Sequence, residues 1–225
     1  MATVQVLVEG KVDRQEEGNV IWTSVALVQS ESYRILFDVG EFHQRFVLKR
    51  RLKAIGWEPS DIDWVVLSHL HWDHALNFEM FHTAQFIITP EEWSSVQTDT
   101  PRDVATPTFL FPALRNAVDL TTTDQVTWPM DIEVVPTPGH TMGHLALVVG
   151  TPAGTVGLAG DACPDEQALD TGIPDPIFYN RDQACESLNR LVSMSDILVP
   201  GHGPAFYTAS RVPAGRLFDP IGGTR

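Results

Sequence analysis

Apolar positions in the first part of this chain fall in short runs that suit strands. Residues 4–8, 20–29 and 33–39 are rich in β-branched side chains and predict three strands. Glu16-Glu17-Gly18-Asn19 and Ser30-Glu31-Ser32 supply the turns between them. The period then changes. Phe42, Phe46, Leu48, Leu52 and Ile55 recur at mostly helical spacing and stop at Gly56, which predicts a helix. Trp64-Val65-Val66-Leu67 reads as a buried strand, and residues 85–89 as another. Pro90-Glu91-Glu92-Trp93 opens a helix, with proline early and acids in the first turn. Residues 98–123 hold Pro101, Pro107, Pro112 and many threonines, so they predict an irregular excursion with one helical piece near 110–118.

The second half has a similar outline. Strands are predicted at 132–136, 145–149 and 155–158, then a proline- and glycine-bearing loop over 164–180. Ala184, Leu188, Leu191 and Val192 form the apolar stripe of a helix over 181–194, and Ile197-Leu198-Val199 is a last strand. The remainder, to Arg225, reads as a surface tail. Strands lead, helices intervene, and the halves look alike. This predicts two packed sheets with helices outside, in one α+β domain over residues 1–225.

Chemistry gathers where these strands end. Ser68-His69-Leu70-His71-Trp72-Asp73-His74 follows the Trp64 strand directly. Thr137-Pro138-Gly139-His140-Thr141-Met142-Gly143-His144 follows the strand at 132–136. Gly160-Asp161 and Pro200-Gly201-His202-Gly203 each follow a strand too. Imidazole and carboxylate are the usual ligands of zinc and its neighbours. The adjacent glycines allow close backbone approach. Four such loops meeting at one rim would build a metal site on a sheet scaffold.

Charge and composition narrow the partners. The formal net charge is −14, which argues against a nucleic-acid surface, since that needs a basic stripe. No window reaches the ~18 apolar residues of a membrane span. The opening Met1-Ala2-Thr3-Val4-Gln5-Val6 lacks the basic start and apolar core of a signal peptide, so a cytoplasmic location is expected. The two cysteines, Cys163 and Cys185, make no C-x-x-C pair and are expected to be reduced thiols.

The motifs H-x-H-x-D-H, P-G-H-T-x-G-H, G-D and P-G-H-G, in this order, resemble those of the metallo-β-lactamase-fold hydrolase superfamily. The likeness runs from about Val20 to Phe206 and includes the lead-ins Asp38-Val39-Gly40 and Asp61-Ile62-Asp63. It implies a four-layer αββα sandwich with two metals at one edge. Carried over residue by residue, His69, His71 and His140 would hold one metal, and Asp73, His74 and His202 the other. Asp161 would bridge them. The implied cofactors are two Zn2+, with iron or manganese as alternatives for the mixed imidazole–carboxylate donors. The chemistry implied is attack of a metal-activated hydroxide on a carbonyl, with Asp73 orienting the hydroxide. Asp38 would brace the histidine loop. His144 is expected to support the site, contact the substrate or simply pack.

Other residues carry weaker expectations. His43 and His82 have no motif around them and read as surface or core histidines. Cys163 reads as a buried inert thiol. Trp72, Phe42, Phe46, Phe178, Tyr179 and Phe206 are candidates to wall a substrate pocket or to fill core.

Within the superfamily, Asp161 speaks against a true zinc β-lactamase, which lacks the bridging aspartate. His71 and the length speak against the flavodiiron branch. The charge and length speak against the RNA-processing nucleases. With 23 residues after His202, the standard helical domain of glyoxalase II is not expected. The layout is similar to that of the acyl-homoserine-lactone lactonase-like group, which implies a lactone or other ester as substrate. That group commonly has a substrate-contacting tyrosine three residues after the bridging aspartate; this chain has Pro164 there, with Tyr179 or Tyr207 as substitutes. The alternatives are a thioesterase or phosphodiesterase on the same site, or a mononuclear-iron persulfide dioxygenase. A non-catalytic binding module should have lost ligands, and none is missing here. The implied partner is a small-molecule substrate, without nucleic acid or membrane, and a homodimer is compatible with this reading.

Overall fold

The computed structural model describes residues 1–97 and 103–215. In chain order they form β1 (Thr3–Val8), β2 (Lys11–Gln15), β3 (Gly18–Trp22), β4 (Val25–Gln29), β5 (Arg34–Phe37), α1 (Arg45–Ala54), β6 (Trp64–Val66), α2 (Trp72–Ala75), β7 (Gln85–Ile88), α3 (Pro90–Ser95), α4 (Leu110–Ala117), β8 (Asp119–Thr122), β9 (Ile132–Pro136), β10 (Leu145–Thr151), β11 (Gly154–Gly160), α5 (Gln167–Thr171), α6 (Arg181–Met194), β12 (Ile197–Pro200) and β13 (Phe206–Tyr207). None of the described helices is long and apolar enough to cross a membrane.

Two sheets carry the architecture. One has the order β1-β4-β5-β6-β7-β8, the other β13-β12-β11-β10-β9. Side chains alternate across each strand and so sort into layers. Ile35, Phe37, Trp64 and Val66 from the first sheet meet Leu145, Leu147, Val156, Leu158, Ile197 and Val199 from the second. The alternate residues Leu36, Val65 and Phe86 face the other way, onto Leu48 and Leu52 of α1 and Leu110 and Leu114 of α4. On the far side, Val135, Ala146, Val148 and Leu198 pack against Leu188 and Leu191 of α6. The result is the αββα layering expected from the sequence.

Strand direction places the site. β5, β6 and β7 run parallel, so the segments after β5 and β6 leave the first sheet at the same edge. β11 and β12 are parallel, and β9 shares their direction because both β9 and β11 are antiparallel to β10. The loops carrying Asp38, His69, His140, Asp161 and His202 therefore all start from C-terminal strand ends.

Four expectations change. The run 20–29 is two strands, because Thr23 leaves the ladder: Gln44 Nε2 donates to Thr23 O (2.6 Å) and Gln44 Oε1 accepts from Thr23 N (3.2 Å). Lys11–Gln15 is a strand as well, the outer arm of a hairpin with β3. The 98–123 excursion ends in β8, a polar edge strand parallel to β7, while its residues 98–102 lie outside the described residues. The tail begins as structure rather than surface: β13 pairs with β12, and Phe206 is buried. Its last part, 216–225, lies outside the described residues.

Candidate metal centre

The chain leaves β6 at Leu67 and turns at once into His69-Leu70-His71. His71 is the N-cap of α2, so Asp73 and His74 follow in its first turn. All of these side chains are buried. Their donor atoms fall into two groups, each within 4.8 Å: His69, His71, His140 and Asp161, and beside it Asp73, His74 and His202. Asp161 reaches both. Its Oδ2 is 3.3 Å from His140 Nε2, and its Oδ1 is 3.1 Å from His202 Nε2 and 3.3 Å from His74 Nε2.

The nitrogens turned away from this point are tied to the protein, as ligating imidazoles require. His140 Nδ1 donates to Pro176 O at 2.7 Å, and His202 Nδ1 to Trp22 O at 3.1 Å. His74 Nδ1 donates to Asp38 Oδ2 at 2.8 Å. His69 Nδ1 donates to Ser68 Oγ (2.9 Å), which in turn donates to Asp38 Oδ2 (2.8 Å). Asp38 thus holds two ligand-type histidines, one of them through Ser68. It does so from a left-handed backbone (φ 58°), a strained conformation for a residue with a Cβ. Asp38 Oδ1 accepts from the Ser68 N–H at 2.7 Å, which fixes the turn.

His71 is oriented the other way round. Its Nε2 lies 3.4 Å from Asp103 Oδ1, close but not in an aligned hydrogen bond. Its Nδ1 is 3.0 Å from His140 Nε2. His140 is pushed down to about 4, mainly by burial, so its ring is neutral, and its one proton is on Nδ1 facing Pro176 O. A lone pair of His140 therefore points at His71 Nδ1. His69 Nε2, His74 Nε2 and Asp161 Oδ1 are buried with no hydrogen-bond partner. Converging ring nitrogens and a buried carboxylate oxygen, all without a hydrogen-bond partner, fit a cation set between them.

The electrostatics divide the site. Burial, then the charge of neighbouring imidazoles, holds His69 well below the usual histidine range. On the other side, burial opposes the charge of His74 and His202, but Asp161 and the other carboxylates outweigh it and hold both above the usual value. Asp161 itself stays well below the carboxylate range: burial raises it, while His202, His74 and His140 pull it down further.

The second group rests on the segment between β3 and β4. Thr23 Oγ1 approaches Asp73 Oδ2 at 3.4 Å, and Ser24 N–H donates to Gly201 O at 2.7 Å. Gly201 must be glycine, since a Cβ there would collide with Asp161 Oδ1. His144, one of the sequence candidates, lies outside both donor groups; its Nε2 accepts from the Asp161 N–H at 3.0 Å.

Three contributors escaped the sequence reading. Glu92 reads there only as a helix-start acid, yet it is buried and bonded to both histidine loops. Asp103 has no motif around it, and Gln44 looks like a helix surface residue. Of the candidate walls, Phe178 sets its ring edge-on at 4.9 Å from His71 and 5.3 Å from His140. Phe206 is core, and Tyr207 packs toward the inter-sheet cluster; Tyr179 is exposed next to Phe178. Phe42 and Phe46 are exposed on the surface of the first half. His43 is a surface histidine paired with Glu41, and His82 is exposed.

A model of the metallo-beta-lactamase superfamily matches residues 22–202. The chain belongs to that superfamily. Its match begins at Trp22, which bonds His202, and ends at His202 itself. The chain is 28% identical over 207 residues to metallo-beta-lactamase domain-containing protein 1 of Xenopus laevis, covering 91% of this chain and 81% of that protein. It is 29% identical over 149 residues to an N-acyl homoserine lactonase of a Bacillus species, covering 62% of this chain and 54% of the lactonase. In three dimensions it is similar to a Bacillus thuringiensis AiiA variant with N-decanoyl-L-homoserine bound at its active site. The TM-score is 0.69 at 20% identity, over 89% of this chain and 92% of that one. The fold and a metal-binding histidine–aspartate cluster are thus features of this superfamily hydrolase.

Proposed function

We propose that this protein hydrolyses a lactone or another carboxylic ester at a dinuclear zinc centre. One observation carries the reading: the two carboxylate oxygens of Asp161 touch both donor groups. His69, His71 and His140 would hold one ion, Asp73, His74 and His202 the other, and Asp161 both. The donor set is nitrogen and oxygen only, which suits zinc and also admits iron or manganese. A bound pair of this kind supplies a water acidified toward neutral pH and a Lewis acid for a carbonyl oxygen.

The chain's own groups do the rest. Asp73 is the orienting base. Its Oδ2 is 3.6 Å from His202 Nε2 and 3.7 Å from His74 Nε2, and Thr23 Oγ1 donates to the same oxygen at 3.4 Å. In hydrolysis the water oxygen bonds to the acyl carbon, the acyl–oxygen bond breaks, and one proton passes to the leaving alkoxide. Phe178 walls the histidine side with an apolar edge that excludes water. Tyr179, exposed in the residue after Phe178, would be the phenol to meet substrate, since Tyr207 is held in β13. The lactonase relative at 29% identity supports the lactone choice over a thioester or phosphodiester.

The test loads the full chain with Zn2+, counts bound metal, and assays lactones, thioesters, phosphodiesters and β-lactams side by side. Two equivalents of metal and lactone turnover are expected, with turnover lost in His71→Ala and Asp161→Asn while the far-ultraviolet circular dichroism is kept. Lactone turnover surviving in either variant rules out this site.

A further inference from the structure

We infer that Glu92 is a positioning residue for the metal position built by His69, His71 and His140. The inference rests on the two-metal reading above. Glu92 is 1% exposed. Its Oε1 accepts the Leu70 N–H at 2.9 Å. Its Oε2 accepts the Thr141 hydroxyl at 2.9 Å and the Gly143 N–H at 3.1 Å. Leu70 lies between His69 and His71, and Thr141 follows His140. Two of the three anchors are therefore one residue from a ligand-type histidine, the third, Gly143, lies three residues after His140, and the two anchored loops belong to different sheets.

The strut is itself held rigidly. Glu92 sits in the first turn of α3, whose N-cap Thr89 accepts the Glu92 N–H at 3.0 Å. The same Thr89 hydroxyl donates to Gly143 O at 2.6 Å. A Cβ at Gly143 would fall on the Glu92 backbone, so the helix turn and the 140–144 loop are in closest contact. The contact is made to one group only. The bonds of Glu92 go to the loops of His69, His71 and His140, and none goes to Asp73, His74 or His202.

Among the described residues Glu92 has no ion pair. A buried carboxylate without a cation is costly unless its charge is compensated. Its three donors compensate part, and a dication at the adjacent position would compensate the rest. Glu92→Gln keeps the shape but puts an amide N–H against one of three N–H or O–H donors, so one anchor must break.

The experiment separates the two metal positions. In the His202→Ala background the His69–His71–His140 position is measured, and in the His140→Ala background the other. Zn2+ affinity is read by competition with a chromophoric chelator, and apoprotein melting is recorded in parallel. Glu92→Gln is expected to weaken Zn2+ roughly 10–100-fold in the His202→Ala background and not in the His140→Ala background. Thr141→Val, which removes one hydroxyl, should shift the same position by less and keep the fold if Glu92→Gln does not. Equal weakening at both positions that tracks apoprotein melting would show a merely structural role and overturn the inference. So would unchanged affinity at the first position. If the unsubstituted protein takes up no Zn2+, the hydrolase reading falls and this one with it; if it binds two ions and the variants bind both as tightly, this one falls alone.

Discussion

His144 Nε2 accepts a hydrogen bond from the backbone N–H of Asp161 at 3.0 Å, and His144 Nδ1 donates to Thr137 Oγ1 at 2.7 Å. Burial keeps the ring neutral, as this pair of bonds requires. His144 therefore fixes the backbone from which Asp161 reaches both donor groups. We expect His144→Ala to leave a buried N–H unpaired, at a cost of about 1–3 kcal/mol in folding stability. It should also loosen metal by roughly 10–100-fold, as loss of an outer ligand-holding contact does. Chemical denaturation and chelator competition measure the two effects. Metal held as tightly as before would show that Asp161 needs no such support.

Asp38 combines strain with two supports, so its variants should separate those effects. Asn tolerates a positive φ and Ala does not. Asp38→Asn should keep most of the stability but lose metal, because Asp38 accepts on both oxygens, from the Ser68 N–H on Oδ1 and from the Ser68 hydroxyl and His74 Nδ1 on Oδ2, and an amide must set its NH2 group against one of these sets of donors. Asp38→Ala should lose metal and be less stable than Asp38→Asn by about 1 kcal/mol. Melting temperatures and metal content of the two variants are the check; equal stability would remove the argument from strain.

The ligand-type residues were legible because each of their four motifs starts one or two residues past an apolar run, at Ser68, Thr137, Gly160 and Pro200, and a strand end is visible in a sequence. Asp38 was legible for the same reason. The layers were legible from alternation such as Ile35-Leu36-Phe37, which splits between inner and outer cores. What stayed hidden depends on distant pairing. Glu92 meets Leu70 22 residues away and Gly143 51 residues away, and nothing local marks a helix-start acid as buried. The break at Thr23 is imposed by Gln44, 21 residues on. β8 is polar and lies at a sheet edge, so period and hydrophobicity both miss it. His144 shows the same limit: its type and spacing suggested a role, but only the fold shows that it holds a backbone.

The thiols give a simple readout of the layering. Cys163 is fully buried, its Sγ donates to Asp165 O at 3.4 Å, and burial followed by the Asp165 charge pushes its pKa up. Cys185 is half-buried on α6. In the folded protein an aromatic disulfide reagent should modify at most one thiol quickly, and Cys185→Ser should remove that reaction until denaturant is added. Fast modification of Cys163 in the native Cys185→Ser variant would contradict the packing beneath Asp161.

Metal removal should be felt most at higher pH. His74 and His202, held above the usual 6.5 by Asp161 and its neighbours against the opposing effect of burial, carry protons that a metal must displace. In the metal-free protein a raised pKa contributes stability that is fully present below 6.5 and is lost as pH climbs through the folded value. The metal-loaded protein keeps both rings neutral as ligands and has no such loss. His69 and His140, held low by burial, bind as neutral rings and release no proton in this range. The melting temperature of loaded minus metal-free protein should therefore widen as pH rises above the usual histidine value of 6.5. Chelator-stripped and Zn2+-loaded samples, melted across that window, provide the measurement. A difference that is flat, or that narrows with rising pH, would contradict proton displacement at His74 and His202.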